Sequence, residues 1–267
     1  MNKYTQTKKS DSRAEQDDEG KMEKAIFVVG APRSGTTIFS KHLKGISGAV
    51  YLKKQNRILR KMNKLLYKFG LMKQSDFLDR KIKLDMTQQE FHNILRKNVV
   101  PHYDASGIFV NKRIANINLL PFLANQFARP TLVHIIRDPY NNVVSLLNRR
   151  KKVKGNIDKW WGVTPQGMPK KTGDAITDCA MQYKYTHLLI QQSQHLFINY
   201  ITISYKEYCN NPQQTMNSIL KKVSLNTDLP VASELITYRE NSISSEVRNR
   251  ISNIIEDGFV TNLYCEE

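Results

Sequence analysis

The chain has 267 residues, enough to bury a substantial core, and nothing in its composition requires a division into two domains. Its 41 Lys and Arg residues outnumber 24 Asp and Glu residues, and the formal net charge of +17 favours anionic ligands or partners. The three cysteines are far apart and lack the spacing of a zinc site, which argues against a disulfide framework and a structural metal and fits a reducing compartment.

The N-terminal segment, residues 1–24, is almost wholly polar and lacks the apolar core of a signal peptide, so we expect a disordered tail there. No later apolar run approaches the ~20 residues that a membrane span needs. We therefore expect a cytoplasmic protein in which residues 25–267 form a single α/β domain.

Short segments rich in β-branched or aromatic residues alternate with longer helical patterns along this domain. The predicted strands are 25–29, 107–110, 131–136 and 200–204. The predicted helices are 36–44, 53–69, 88–96, 116–128, 140–150, 174–195, 212–223 and 244–256. This alternation predicts a P-loop-type parallel sheet with helices on both faces, and the glycines and prolines at about 151–173 predict a surface insertion.

The octapeptide GAPRSGTT, residues 30–37, follows the first strand directly. Gly30 and Gly35 bound a turn at the start of a helix, where backbone N–H groups and the helix dipole can bind an anion. A nucleotide triphosphatase has lysine after the second glycine, whereas here Thr36 follows and Arg33 lies within the loop. The loop is either an ordinary tight turn or an anion site. The anion site is favoured, because burying the charge of an arginine there without an anion would cost free energy.

A second motif follows about a hundred residues later, where the predicted strand 131–136 ends at Arg137. Ser145 lies eight residues further on, two turns into the next predicted helix, so both side chains can converge on one phosphate. Taken alone, Arg-Asp-Pro is also a common strand-to-helix turn, in which Asp138 caps the helix. The presence of both motifs in one chain favours phosphate binding.

The loop 30–37 resembles the 5′-phosphosulfate-binding loop of sulfotransferases that use 3′-phosphoadenosine 5′-phosphosulfate (PAPS), and Arg137 with Ser145 resembles their 3′-phosphate site. The resemblance implies an enzyme that binds PAPS, releases 3′-phosphoadenosine 5′-phosphate (PAP) and needs no metal. It also implies that Lys112 approaches the sulfuryl group and acts in catalysis with Arg33. The implied cofactor-binding residues are Gly30, Pro32, Arg33, Ser34, Gly35, Thr36, Thr37, Arg137, Ser145 and Tyr205.

A hydroxyl acceptor also needs a general base within hydrogen-bond reach. Residues 25–75 contain no carboxylate where some relatives have a glutamate, and Arg113 and Ile114 follow Lys112 where cytosolic relatives have a histidine. We single out His102 and Asp104 as candidate bases, because both stand just before the strand that carries Lys112.

The segment 53–73 is a predicted cationic amphipathic helix without a nearby carboxylate, and residues 149–154 form a second basic segment. The helix could expose its charges to solvent, or it could receive an anionic acceptor such as an acidic glycan or a lipid headgroup. A membrane surface is a further candidate partner. Nucleic acid is not expected, because the chain has no helix-turn-helix, zinc or RNA-recognition signature.

Two other classes of function remain open at this stage. A P-loop kinase or NTPase could take its lysine from elsewhere in the chain and would bind ATP with magnesium. A non-enzymatic protein that binds polyanions or membrane surfaces would use the net charge alone. The sequence also leaves open the acceptor, the choice between a hydroxyl and the less favoured amine, and the oligomeric state.

Overall fold

The computed structural model describes residues 22–43, 49–50, 108–225, 238, 240–256, 259 and 263. Within these ranges one parallel sheet forms, with the strand order β2-β3-β1-β4-β5. Its strands are β1 (Met22–Val29), β2 (Ala49–Val50), β3 (Ile108–Asn111), β4 (Phe127–Ile136) and β5 (Asn199–Ser204). The predicted fold class, a parallel α/β sheet flanked by helices, is confirmed.

The central strand β1 is apolar on both faces, as expected where helices cover both sides of a parallel sheet. Phe27 and Val29 belong to one buried cluster, whereas Ile26 and Val28 belong to another on the opposite face. The alternation of side chains along a strand therefore supplies two cores from one run of apolar residues.

The helices of the described residues are α1 (Thr36–His42), α2 (Leu120–Ala124), α3 (Pro139–Lys154), α4 (Ala175–Ser193), α5 (Tyr205–Asn210), α6 (Pro212–Lys222) and α7 (Ser245–Ile255). Side-chain caps begin several of them: Asp138 accepts from the N–H of Asn141 before α3, and Asp174 accepts from Thr177 before α4. Among the helices in these ranges, none has the length and apolarity to cross a membrane. The predicted helices 53–69 and 88–96 lie outside the described residues.

The predicted helix 116–128 is wrong in its extent. Ile114–Asn118 form a 3-10 helix, α2 is only five residues long, and β4 already begins at Phe127. The side chain of Asn116 donates to Asn111 Oδ1 and that of Asn118 donates to the carbonyl of Thr164, so tertiary contacts hold both asparagines. The early start of β4 follows from its pairing with β1. Strand β1 begins at Met22, which pairs with Phe127, so residues 22–24 of the expected tail belong to the strand.

The segment at about 151–173, predicted to be a surface insertion, differs from that prediction at its start and at its centre. Helix α3 continues to Lys154 and ends at Gly155, whose φ of 70° provides the left-handed cap. Further along, Val163 is fully buried, and its carbonyl accepts a hydrogen bond from Gln182 of α4. The segment is therefore anchored to the domain through Val163, while residues 155–159 are exposed.

Candidate active site

The residues that follow four parallel strands meet at one edge of the sheet. Gly30 follows β1, Lys112 follows β3, Arg137 follows β4 and Tyr205 follows β5. After β1 the chain forms β2 and β3 on one side of it and then β4 and β5 on the other side. Such a reversal opens a crevice at the carboxyl ends of the strands.

Two neighbouring cavities lie at this edge and share Arg33, Arg137 and Tyr205 as lining residues. The loop cavity, of about 260 Å³, is also lined by Gly35, Thr36, Thr37, Lys41, Lys112 and Trp161. The helix cavity, of about 370 Å³, is also lined by Ser145, Asn148, Arg149, Lys152 and Asn241. Among the described residues that line the two cavities there is no carboxylate, so the site is strongly cationic.

The two glycines of the loop are required by close packing. A Cβ at Gly30 would lie 2.5 Å from the carbonyl oxygen of Ile135 in β4. Gly35 has a φ of 93°, and a Cβ there would lie 2.2 Å from the ring of Tyr205. Both positions need glycine, because a side chain would displace β4 or Tyr205.

Arg33, between these glycines, has a left-handed backbone with a φ of 76°. That conformation is unfavourable for a residue with a Cβ, by about 1 kcal/mol or more. Hydrogen bonds hold the loop in place: Arg137 Nη1 donates to the Arg33 carbonyl at 3.0 Å, and Asn142 Nδ2 donates to Ser34 Oγ at 3.0 Å. The strained backbone directs Arg33 out of the loop toward α3, where its Nε donates to Ser145 Oγ at 3.3 Å.

Arg137 is fixed from several directions. The hydroxyl of Tyr183 in α4 donates to the Arg137 carbonyl at 2.7 Å. The guanidinium carbon of Arg137 lies 5.2 Å from the ring centroid of Tyr205 and 6.0 Å from that of Tyr238, distances typical of cation–π contacts. The structure thus brings Arg33, Arg137, Ser145 and Tyr205 together from elements that are far apart in the chain.

Lys112 reaches the loop from β3, and its Nζ donates to Thr37 Oγ1 at 2.8 Å. Burial lowers the pKa of Lys112, and the charge of Arg33 lowers it further. Burial likewise lowers the pKa of Arg33, with smaller contributions from Arg149 and Arg137, although a guanidinium keeps its charge at any ordinary pH. Each cation therefore destabilises the others, and a bound anion would relieve that repulsion.

Burial raises the pKa of Tyr205 to about 12, so its phenol stays protonated near neutral pH.

The backbone N–H groups of the loop are not all available to a ligand: Ser34 donates its own to the Ala31 carbonyl at 3.0 Å. The first N–H groups of α1 have no partner within the helix and remain suited to an anion. An anion at the loop would therefore meet chiefly the N–H groups of the residues after Ser34.

The basic segment 149–154 separates into three environments in the structure. Arg149 and Lys152 line the helix cavity, Arg150 is fully buried with its guanidinium carbon 4.9 Å from the Trp160 ring centroid, and Lys151 and Lys154 are exposed. The sequence alone predicts a single basic segment here. Helical spacing from Ser145 to Arg149 and Lys152 was the signal that could have separated them.

Other cavity residues were missed at the sequence level. Lys41 lies four residues after Thr37 on α1, and this helical spacing was a signal that could have indicated it. No local pattern pointed to Trp161 in the loop cavity or to Asn241 in the helix cavity, because tertiary packing alone brings them there. The candidate bases His102 and Asp104, and the basic segment 53–73, lie outside the described residues. Within the described ranges, no group of three or more His, Cys, Asp or Glu side chains is arranged to hold a metal ion.

Comparison with known proteins gives the class to which this fold and site belong. The profile of the Sulfotransferase family matches residues 25–228, so the chain belongs to the sulfotransferase family. It is therefore an enzyme that transfers a sulfuryl group. Among curated proteins, none matches the chain at a significant level.

Two solved structures are similar to this chain. The sulfotransferase from Alicyclobacillus acidocaldarius is 8% identical, with 92% of this chain and 97% of that chain covered and a TM-score of 0.57. The sulfotransferase domain of the Synechococcus PCC 7002 olefin synthase is 15% identical, with 92% and 86% covered and a TM-score of 0.49. At these identities a structural likeness shows the fold alone. Only the first structure, with a TM-score above 0.5, supports the fold.

Proposed function

We propose that this sulfotransferase takes its sulfuryl group from PAPS and transfers it to a hydroxyl group of an anionic acceptor, such as an acidic glycan or a lipid headgroup. Transfer to an amine is the less favoured form. The observation that carries the proposal is the contact between the two motifs: Arg33 Nε donates to Ser145 Oγ at 3.3 Å, and Arg137 Nη1 donates to the Arg33 carbonyl at 3.0 Å.

The chemistry of the site fits the two anionic ends of PAPS. Arg33, Lys112 and the hydroxyls of Thr36 and Thr37 surround the loop cavity, which suits the 5′-phosphosulfate. Arg137, together with Ser145, offers a forked donor and a hydroxyl to the 3′-phosphate in the helix cavity. Tyr205 lines both cavities and is available to pack against the adenosine half.

PAPS supplies a sulfuryl group attached to a phosphate leaving group, and positioning with charge stabilisation dominates such in-line transfers. Arg33 and Lys112 present fixed positive charge to the loop cavity, where negative charge develops on the oxygens of the reacting group. Their positions are set before any ligand arrives, Lys112 by Thr37 and Arg33 by the strained loop. No metal is required in this proposal, because these cations supply the positive charge.

A general base must accept the acceptor's proton within hydrogen-bond reach. His102 and Asp104 remain our candidates for this role. Replacing each in turn with Asn is the direct check: loss of turnover with unchanged PAP affinity identifies the base, and full turnover in both variants removes these two residues from the proposal.

The anionic acceptor is supported by a cation that the donor's two ends do not require. Lys41 lines the loop cavity, and no carboxylate among the described lining residues neutralises it. A lipid headgroup as acceptor would bring the protein to a membrane surface.

We propose a reducing cytoplasm as the location of the protein, since Cys179 and Cys209 are buried free thiols.

One specific contact favours a second candidate function, a P-loop kinase or NTPase. Lys112 Nζ lies 2.8 Å from Thr37 Oγ1 and could replace the lysine that the loop lacks. A protein that binds polyanions without catalysis is the third alternative, and no specific contact among the described residues favours it.

Incubation with ³⁵S-labelled PAPS tests the proposal against both alternatives. We expect label to appear on an unsulfated acidic glycan or on phosphatidylinositol vesicles, and not on a neutral glycan of the same length. Hydrolysis of ATP with magnesium and no consumption of PAPS would support the kinase or NTPase instead. Tight binding of the glycan with no consumption of either nucleotide would support the non-enzymatic alternative.

A further inference from the structure

Arg149 is a third arginine of the site, and neither motif includes it. It lies four residues after Ser145 on α3, and Lys152 follows three residues later, so all three are on one face of the helix. All three line the helix cavity together with Arg137. Helix α3 therefore extends the cationic surface of this cavity beyond the serine of the second motif.

Arg149 lies close to the two arginines of the motifs, since Arg33, Arg137 and Arg149 all line the helix cavity. Long side chains on a helix lean toward its N-terminus, which here is toward the turn of Ser145. Burial lowers the pKa of Arg33, and the charges of Arg149 and Arg137 lower it further. Arg33, Arg137 and Arg149 consequently share one small region, although the three come from different elements.

Packing holds Arg149 in this position. Its guanidinium carbon lies 5.4 Å from the ring centroid of Trp161, and stacking on an aromatic ring keeps the planar donor fork in a fixed orientation. Its Nε is buried and has no hydrogen-bond partner among the described residues. A buried, unpaired charged donor is costly, so a cationic cavity of this kind is best explained by an anion that it binds.

A terminal phosphate has three non-bridging oxygens and a charge near −2, more than one arginine and one serine can satisfy. We propose that Arg149, with Lys152 beside it, is a further binding residue for the 3′-phosphate and selects nucleotides that carry this group over those that lack it. The inference rests on the proposed function, in which PAPS is the donor.

The test compares the affinities for PAP and for AMP, which differ by the 3′-phosphate, in calorimetric titrations of the full chain. In Arg149→Gln we expect the affinity for PAP to fall about tenfold or more, as for a lost charged hydrogen bond, and the affinity for AMP to change less than twofold. Lys152→Gln should show the same selectivity with a smaller loss, about threefold, because the residue is exposed.

Lys151→Gln is the matched control, since it removes the same charge from the same helix at an exposed position that lines neither cavity. It should leave the ratio of the two affinities unchanged. Arg149→Lys keeps the charge without the fork and should recover only part of the selectivity. If Arg149→Gln fails to fold, as judged by thermal unfolding, Arg149→Lys and Lys152→Gln still test the proposal.

Equal losses for PAP and AMP in Arg149→Gln would overturn the proposal, because Arg149 would then act only through the general positive potential. An unchanged PAP-to-AMP ratio in all of the α3 variants would also overturn it and would leave Arg149 a packing partner of Trp161. Failure of the wild-type protein to bind PAP would instead remove the proposed function itself, so the two failures are distinguishable.

Discussion

The two cavities of the site are built in different ways. The loop cavity depends on backbone geometry: Gly30 fits against β4, Gly35 fits against Tyr205, and α1 presents its N-terminus. The helix cavity depends on the side chains that one face of α3 presents, with Arg137 opposite. The difference implies that substitutions of the two loop glycines affect folding and binding together, whereas substitutions of the side chains that α3 presents to the cavity mainly change ligand selection.

The largest expected effect is that of Gly35→Ala, which tests the backbone dependence of the loop cavity. Its Cβ would lie 2.2 Å from the Tyr205 ring at a φ of 93°, so Tyr205 and the loop must both shift. We expect a loss of about 1–3 kcal/mol in the free energy of unfolding and a loss of PAP binding. Chemical denaturation and calorimetry measure the two quantities.

Gly167→Ala is the matched control for that prediction. Gly167 also has a positive φ, 79°, but a Cβ there would meet nothing within 4 Å. The substitution should cost only the backbone strain, about 1 kcal/mol, with unchanged PAP affinity. Equal behaviour of both variants would mean that contact with Tyr205 does not shape the loop.

Arg33→Ala and Arg137→Ala separate the roles of the two cavities. Arg33→Ala should lower kcat about 10²–10³-fold, as for a lost transition-state donor, with a much smaller change in PAP affinity. Arg137→Ala should mainly weaken PAP binding. Steady-state kinetics at saturating PAPS and PAP titrations give both values, and equal effects of both variants on both quantities would show that the assigned roles are wrong.

The pH dependence of binding sharpens the view of the loop cavity, because Lys112 has a lowered pKa. In the proposed function the charged ammonium of Lys112 attracts the anion, so PAP affinity should fall as the pH rises through this lowered pKa, below the ordinary value of 10.5. In Lys112→Met the alkaline decrease should be absent. A decrease of the same size in the variant would assign the titration to another group.

The smallest expected effect is the salt dependence of the acceptor's KM. An anionic acceptor that uses Lys41 should show a KM that rises several-fold between about 50 and 300 mM salt, because exposed charge pairs are screened. Initial rates at saturating PAPS measure it. A KM independent of salt would argue against an anionic acceptor and would leave the donor assignment intact.

The contrast between the cavities also explains what the sequence could predict. The loop 30–37 was recognisable because its glycines are required by the backbone and occur at fixed spacing. The sheet was predictable because strands such as 131–136 are continuous apolar runs. In contrast, β2 was missed because a strand of two residues, Ala49–Val50, carries no periodic signal.

Features set by tertiary contacts could not be predicted. The helix expected at 116–128 is interrupted because Asn116 and Asn118 bond to side chains and backbone outside it. Trp161 and Asn241 reach the cavities from segments without regular structure, and no local spacing indicates where they lie. Arg149 had the spacing, but its role in the site depends on its stack against Trp161.

A calorimetric titration of the wild-type protein with PAP in the presence of a metal chelator, beside one with ATP and magnesium, decides whether the site binds the proposed cofactor. We expect PAP to bind one site per chain with an affinity that the chelator leaves unchanged, and we expect ATP to bind more weakly. Binding of ATP that requires magnesium, with no binding of PAP, would rule out PAPS as the donor.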